Sequence, residues 1–506
     1  IYGSRASNGV IIITTKKGMG KGLQVSYNSS YTVKTNAGSI DVMSGSEFAD
    51  YMTNKYQAAT PADAEKIQSL LGYNGKIYNS DWQDMIYRTA FTTDHNISLY
   101  GNTEGGIFPY RITMGFNYDQ GTVKGGDNSR VNLGVNLAPK FFDEHLTATV
   151  NVKAVYNKSN WTNNAVGAAL SYDPTKPVHF YNADGSVNKD VANGYYNHGT
   201  FASNGQFMPN VNASANPMSA LNDWVSYGST WRSIGNLQLD YKIHGLEDLR
   251  LNLNLGYDVA ETRGTNYNEV GSFGNIKAGA QDGYNTYRNY NANTLLEFYA
   301  NYNKEFGMHR IDVMGGYSWQ HNFVKNSSLA YLNNDRDQIH PNQATPESRL
   351  PHTYQEYYLV SFFGRLNYSL NSKYLFTFTM RQDGTSRFSE DNRWGFFPSA
   401  AFAWNIAQEN FLVDSKALSA LKLRLGWGET GQQEVPGGYY PYIPTYGYLN
   451  NGNAQYMPGI AGTLAPNAYN AALKWETTTT WNAGLDFGFL SINHFCQIMR
   501  RNTGCH

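Results

Sequence analysis

One short segment combines charged residues that could form an ion pair or bind a ligand. The sequence RQDGTSRF places Arg381, Asp383 and Arg387 close together around a predicted turn. The arginine guanidinium group matches the geometry of a carboxylate, so these side chains suit either an internal ion pair or a contact to a substrate. Two interpretations therefore stay open: a structural turn at the rim of a sheet, or part of a binding site.

A second candidate region is the long segment 157–230, which is rich in aromatic residues, Asn, Ser and Gly. Aromatic faces with neighbouring amides suit sugar rings, because the C–H faces stack and the hydroxyls need both donors and acceptors. The predicted substrate-binding residues are Trp161, Tyr172, Tyr181 and Trp224. The alternative is that this loop packs its aromatic side chains against one another.

The sequence contains no pattern typical of an enzyme. It has no G-x-S-x-G, H-E-x-x-H or P-loop motif, so we predict no catalytic residues and no cofactor. Residues 181–190 loosely resemble a calcium loop but lack its ligand spacing and closing Glu, so a turn is favoured and no metal site is predicted. The net charge of -1 gives no reason to expect nucleic-acid binding. Cys496 and Cys505 both lie near the C-terminus, which excludes a disulfide scaffold.

The elements that must position these residues are strands, because apolar and polar residues alternate with a period of two. The pattern is clear in LRLNLNLGYD, SKYLFTFTMR, LKLRLGWG and WNAGLDFGF, and it recurs at 23–33, 95–101, 109–119, 129–138, 145–155, 232–243, 292–304, 309–320, 357–370 and 397–406. This gives about fourteen strands, many of about 9–11 residues, the length that crosses a bilayer when tilted. Helices are predicted only at 44–59, with Ser44 and Glu47 as a capping box, and at 61–71.

The connections favour a membrane barrel over a soluble sandwich, which would also show alternation. Short connections alternate with long ones at 34–94, 120–128, 157–230, 260–291, 321–355, 384–396 and 430–475. Every long loop therefore falls at one end of the sheet, as in outer-membrane barrels, and aromatic residues near the strand ends resemble their aromatic girdles. The fold class predicted is all-β: a transmembrane antiparallel β-barrel. On the polar face, Arg250, Asn252, Asn254, Lys422 and Arg424 are expected to line the lumen.

Several ordered motifs resemble the SusC/RagA-type TonB-dependent outer-membrane transporters. They are IYGSRASNGVIIITTKKG, DWQDMIYRTAFTTDHNISLYG, LSYDPTKPVHFYNADGS, and LVSFFGRLNYSLNSKYLFTFTMRQDGTSRFSEDNRWGFFPSAAFAWNIAQENFL followed by LKLRLGWGETGQQ. The resemblance implies the C-terminal end of a plug domain at 1–18, a barrel portion with long extracellular loops at 19–490, and an aberrant tail outside the family at 491–506. On this reading the chain holds about 14 of about 22 barrel strands. We expect such a partial barrel not to transport by itself, because lipid cannot satisfy the unpaired edges.

The same resemblance implies a function. Such proteins import bulky nutrients, typically oligosaccharides and sometimes peptides, across the outer membrane of Gram-negative bacteria. The implied partners are a SusD-like surface lipoprotein that acts as a lid, the TonB–ExbB–ExbD complex that supplies energy, and outer-membrane lipid. A glycan-binding or glycan-cleaving β protein without transport and a passive porin are the alternatives. The plug-like opening segment argues against the porin.

Overall fold

A computed structural model describes residues 16, 18, 20, 22–56, 65–67, 70–163, 165–279, 284–331, 353–415, 417–434, 438–448, 464–489 and 492–504. Most of them belong to a single antiparallel sheet of 16 strands. Of the segment 1–18 assigned to the end of a plug domain, residues 1–15 and 17 lie outside the described residues, as does Cys505.

The strands are β1 (Gly22–Lys34), β2 (Ala90–Asn102), β3 (Tyr110–Gln120), β4 (Asp127–Leu137), β5 (Lys140–Phe141), β6 (Leu146–Asn160), β7 (Gly199–Phe201), β8 (Phe207–Pro209), β9 (Trp224–Ile243), β10 (Leu246–Asn268), β11 (Tyr284–Phe306), β12 (His309–Tyr331), β13 (Thr353–Leu370), β14 (Tyr374–Thr385), β15 (Trp394–Asn405), β16 (Leu418–Gln432), β17 (Tyr446–Tyr448), β18 (Leu464–Pro466), β19 (Glu476–Phe489) and β20 (Ile492–Gly504). The sheet order is β1-β2-β3-β4-β6-β9-β10-β11-β12-β13-β14-β15-β16-β19-β20, with β5 paired to β6. The pairs β7–β8 and β17–β18 are separate small hairpins.

All fourteen predicted strands are present, which confirms the predicted all-β antiparallel fold. Two features differ from the expectation. The strands β9 to β12 have 20–23 residues, about twice the predicted length. In addition, the segment 491–506, which we expected to lie outside the sheet pattern, contributes β20, and β20 pairs antiparallel with β19. The assignment of this segment as an aberrant tail stays a prediction.

The strand bounds confirm the alternation of loop lengths at most positions but not between β3 and β4, whose connection 121–126 is shorter than the link 406–417 at the other end of the sheet. Tight turns join β9 to β10 at 244–245 and β11 to β12 at 307–308, whereas 161–223 separates β6 from β9 and 433–475 separates β16 from β19. Gly245 and Gly307 have φ of 78° and 61° in these turns, a conformation that glycine adopts without steric cost. The long connections therefore gather at one end of the sheet, which we call the mouth.

In the described part of the chain, α-helices occur only in the long connections, while short 3-10 helices at Glu104–Gly106 and Ile406–Gln408 lie at the other end of the sheet. The α-helices are α1 (Gly45–Tyr56), α2 (Trp82–Ile86), α3 (Ala165–Ser171), α4 (Pro217–Asn222) and α5 (Phe273–Lys277). The capping box of α1 is confirmed, because Ser44 N donates to Glu47 Oε2 at 2.8 Å and Glu47 N donates to Ser44 Oγ at 3.3 Å. Of the predicted helix 61–71, residues 65–67 and 70 are helical and the others are mostly outside the described set. No helix among the described residues is long and apolar enough to cross a bilayer.

The two faces of the sheet meet different surroundings. The outward face carries large apolar side chains that are well exposed, including Leu23, Val25, Met114, Trp231, Phe298, Phe362, Met380 and Trp481. The inward face carries amides and charges and surrounds a cavity of about 1130 Å³ whose lining extends from Arg111 on β3 to Gln432 on β16. The sheet therefore curves around a polar interior, while its outer face suits lipid.

Candidate functional site at the mouth and inner wall

A line of inward-facing residues on β9 connects the mouth to the interior. The line consists of every fourth residue of the first part of β9, namely Trp224, Gly228, Arg232 and Asn236. Because side chains alternate along a strand, all four lie on the same face. At about 3.4 Å per residue, the line from Trp224 to Asn236 is roughly 40 Å long. We call these four positions the inner-wall track.

Two of the predicted binding residues lie at the upper end of this track. The backbone N of Trp161 donates to Ser226 O at 2.9 Å, and the Trp161 ring packs over Gly228, where an added Cβ would lie 2.9 Å from the ring. Trp161 remains 43% exposed, and Trp224 is half-buried at the start of β9. The glycine thus makes room for an indole ring at the mouth, with one face toward solvent.

Below the tryptophans the track becomes polar. Arg232 forms a two-point contact with Asp258 on β10, with Nε–Oδ1 and Nη2–Oδ2 distances of 2.8 and 2.6 Å. Four residues farther along β9, Asn236 belongs to an asparagine ladder: Asn136 donates to Asn151, Asn151 donates to Asn236 at 3.0 Å, and Asn236 donates to Asn254 at 2.9 Å. The ladder crosses β4, β6, β9 and β10. It presents amide donors and acceptors side by side along the cavity wall.

One acceptor at the end of the ladder has no partner among the described residues. Within the described part of the chain, Asn136 Oδ1 is buried and has no hydrogen-bond partner. Arg111, Lys153 and Asp258 line the same cavity. A cavity lined by amides and charged side chains suits a ligand or a polar protein segment that offers hydroxyl or amide groups.

The other two predicted binding residues, Tyr172 and Tyr181, belong to a packed unit above the barrel. Residues 70–89 and 161–223 form this unit, which we call the loop module. Tyr172 is 4% exposed, packs edge-on to Trp82 with ring centroids 5.2 Å apart, and donates its hydroxyl to Tyr196 O at 2.7 Å. The backbone of Tyr181 bridges to Val187, and its carbonyl accepts from the Tyr73 hydroxyl at 3.3 Å. These contacts match the self-packing interpretation, and a binding role for either tyrosine stays a prediction.

The predicted turn at 181–190 is formed as expected. Asp184 Oδ1 accepts from Ser186 N at 2.9 Å and from Ser186 Oγ at 2.6 Å, and these contacts lower the pKa of Asp184. Gly185 takes a φ of 85° within it. Among the described residues, no group of three or more His, Cys, Asp or Glu side chains is placed to hold a metal ion.

The interior of the loop module shifts the pKa of several groups away from solution values. Burial raises the pKa of Tyr172 well above its ordinary value and that of Tyr196 to about 12. Burial lowers the pKa of Lys176, and the nearby Asp173 carboxylate opposes that shift. Burial also lowers the pKa of His198. These directions reflect a compact, largely dry interior.

Of the three charged residues predicted at the rim, Arg381 and Asp383 form an ion pair, and Arg387 has other partners. Arg381 Nε donates to the fully buried Asp383 at 2.7 Å, and Arg381 Nη2 donates to Ser361 Oγ at 2.9 Å. Arg387 lies between the rings of Tyr357 and Tyr439, 5.4 and 5.6 Å from their centroids, and donates to Gly438 O at 3.1 Å. Through its contacts with Gly438 and Tyr439, Arg387 holds part of the connection after β16 against the barrel rim. A substrate contact by these residues stays a prediction.

The lumen residues expected from the alternation share the polar face. Arg250 and Asn252 both contact Asp240, and Arg424 donates to Asp486 at 2.6 Å. Asn254 is among the lumen residues predicted from the sequence, whereas Asn136, Asn151 and Asn236 are not. The alternation of β4, β6 and β9 puts each on the polar face, and only the strand register shows that they form one ladder.

Comparison with known proteins identifies the family. Residues 180–495 match the family TonB dependent receptor-like, beta-barrel. The chain is 43% identical over 504 residues to the TonB-dependent receptor SusC of Bacteroides thetaiotaomicron, covering 97% of this chain and 48% of SusC. TonB-dependent receptor P3 of Formosa agariphila is 30% identical over 516 residues, covering 96% of this chain and 46% of P3. The chain thus spans about half the length of the curated relatives it matches.

The fold agrees with this relationship. The structure of the RagAB peptide transporter superposes with a TM-score of 0.77 at 20% identity, covering 99% of this chain and 57% of that chain. The matched relatives are receptors rather than enzymes, which confirms the prediction that this chain is not an enzyme. The chain belongs to the TonB-dependent receptors, of the SusC/RagA type.

Proposed function

We propose that this chain forms part of an outer-membrane importer of Gram-negative bacteria that takes up oligosaccharides, driven by a TonB–ExbB–ExbD complex. The inner-wall track of β9 is the observation that carries the substrate class. It places indole rings at the mouth, then an arginine–carboxylate pair, then a ladder of four amides. Sugar rings stack on aromatic faces and their hydroxyls pair with amides, so a glycan finds suitable partners along the whole track.

Peptide import by the same mechanism is the second candidate. One solved structure with a similar fold is that of a peptide transporter, and amides also pair with peptide backbone groups. The arginine–carboxylate pair near the track would accept charged peptide ends. A SusD-like lipoprotein is proposed as the lid over the mouth in either case.

The substrate class is tested by binding and by uptake. The complete transporter is screened with a glycan array and with a peptide library, and the hits are compared between wild type, Trp161→Ala and Trp224→Ala. We expect a glycan to bind and each variant to weaken it about tenfold, since stacking and burial of an indole ring contribute about 1–2 kcal/mol. Uptake should cease when the TonB gene is deleted.

The matched control is Trp231→Ala, on the same strand but on the outward face, where Trp231 is 62% exposed. Its substrate affinity should equal that of wild type. Binding of peptides alone would replace the oligosaccharide proposal with the peptide one. Unchanged affinity in Trp161→Ala and Trp224→Ala would refute the track as the binding surface.

A further inference from the structure

The outward face of the barrel carries a cluster of basic residues close to the mouth. Strand pairing puts Lys158, Ser229, Arg263, Arg288 and Ser327 opposite one another in a single row across β6, β9, β10, β11 and β12. We call it the basic row. Lys158 is exposed, and the side chains of Arg263 and Arg288 are 64% and 57% exposed.

The basic row lies directly beyond a row of aromatic side chains. Two residues closer to the middle of the barrel, the same strands carry Tyr156, Trp231, Glu261, Tyr290 and Lys325 in register. Trp231 packs on Tyr156 with ring centroids 4.7 Å apart. Aromatic girdles mark the membrane–water interface of such barrels, so the basic row, about 7 Å farther out, falls at the level of the lipid headgroups.

The charges in this region do not balance. Arg263 and Arg288 are direct neighbours across a strand pair, an arrangement of like charges that destabilises a sheet. Glu261 contacts both: one oxygen accepts from Arg263 Nε and the other accepts from Arg288 Nη2 at 2.8 Å. This carboxylate faces two guanidinium groups, and the ammonium groups of Lys158 and Lys325 lie in or beside the same row. The other outward carboxylates nearby, Asp127 and Glu356, contact Asn160 and His321, so four cationic groups face three carboxylates. An additional anion would therefore be stabilised here.

The geometry of the arginines suits a phosphate. Glu261 uses the Nε of Arg263, so the two terminal nitrogens of that guanidinium lie outside this contact and can donate two parallel hydrogen bonds to one anion. Glu261 also positions both guanidinium groups on the outer surface. Lys158, two strands from Arg263, lies roughly 10 Å away and can contact a second anionic group of the same ligand.

The excess of positive charge is local. Continuing the row to β4, β3 and β2 gives Ser129, Tyr118 and Thr93, which are uncharged. At the opposite end of the barrel, the outward Lys304 pairs with Asp248 at 2.9 Å. On the inward face of the same end, Arg310 pairs with Glu305 at 3.3 Å.

We propose that the basic row binds the phosphate groups of an outer-leaflet glycolipid headgroup and so fixes a lipid on the β6–β11 side of the barrel. The site is separate from the inner-wall track, because it lies on the opposite face of the same strands. Its occupant is a lipid rather than a transported solute.

The test uses the protein purified in mild detergent and native mass spectrometry with three probes: lipid A bearing its phosphates, enzymatically dephosphorylated lipid A, and inorganic phosphate. Wild type should retain phosphorylated lipid A. The double variant Arg263→Gln/Arg288→Gln should bind it at least about tenfold more weakly, because two charge-assisted contacts are lost. The control Lys304→Gln/Arg310→Gln should bind like wild type. Its substitutions remove the same number of charges at the other end.

Three results would overturn the proposal. They are equal retention of dephosphorylated lipid A, an equal loss of binding in both double variants, and saturation by inorganic phosphate at the same concentration as lipid A. Heat-modified mobility on gels identifies folded barrel in each variant. Substrate binding measured on the same samples separates a failure of this proposal from a failure of the proposed import function, since the two faces are independent.

Discussion

Lys176 is the buried link between the two halves of the loop module, and replacing it with methionine gives the sharpest test of how that module is held. Only 4% of Lys176 is exposed. Its ammonium donates to the carbonyl oxygens of Leu70 and Gly72, the latter at 2.6 Å, and lies 3.9 Å from the Asp173 carboxylate. Lys176→Met keeps the length of the side chain and removes the donor.

The magnitude follows from what the substitution leaves behind. The Gly72 carbonyl is in a buried position and would lose this donor, at a cost of about 1–3 kcal/mol. The Leu70 carbonyl belongs to an exposed residue and can bind water instead. Burying the ammonium of Lys176 has a desolvation cost, which is also why its pKa is lowered, and Lys176→Met removes that cost. We therefore expect the net destabilisation to fall in the lower or middle part of that range. The opening constant of the module should rise about 5- to 50-fold.

Amide hydrogen exchange reads this opening directly. The amides of Tyr78 and Ser80 donate to Thr175 O and Pro174 O at 3.0 Å, so they exchange when the two halves separate. The control is Lys189→Met, at an exposed lysine of the same module, which should leave both rates unchanged. Unchanged exchange at Tyr78 and Ser80 in Lys176→Met would refute the role of Lys176 as the link.

Two further perturbations test the loop module and the rim. Burial lowers the pKa of His198 from its ordinary value of 6.5. Between that value and the lowered one, the unfolded segment therefore binds more protons than the folded one, and the urea midpoint of the module should fall as the pH drops through this window. His198→Asn should flatten this pH dependence. At the rim, Asp383→Ala leaves the Arg381 guanidinium buried without its carboxylate partner and should lower the free energy of unfolding by about 3–5 kcal/mol, measured by chemical unfolding. Asp190→Ala, at an exposed position, should change it by no more than about 0.5 kcal/mol. Equal effects of the two substitutions would contradict the role of the buried pair.

The strands could be predicted from sequence because the apolar face repeats every second residue, yet their full lengths could not. Beyond Trp231 and Glu261 the outward face becomes polar as well, with Arg263 and Thr265 continuing β10. Alternation then disappears although the backbone pairing continues through Asn268. The alternation of apolar and polar residues ends where the outer face leaves the lipid. The length of the strand is set by backbone hydrogen bonds, which continue beyond that boundary.

The candidate site was only partly predictable for a different reason. Composition singled out Trp161, Tyr172 and Trp224 alike, since all three are aromatic residues in an amide-rich region. Tyr172 is buried by contacts with Trp82, about 90 residues earlier in the sequence, and such distant packing leaves no local pattern. The asparagine ladder likewise depends on the register of four strands. Local periodicity assigns a residue to a face, and register decides which residues on that face meet.

Register also links the inner and outer functions proposed for β9. Because side chains alternate, a slip of one residue would turn Trp231 into the lumen and Arg232 to the outer face. The Gly245 turn sets the pairing of β9 with β10. The Arg232–Asp258 and Asn236–Asn254 contacts hold it on the inner face. The polar groups proposed to meet the substrate therefore also keep the lipid-facing side apolar, so substitutions at Arg232 or Asn236 are expected to affect folding and binding together.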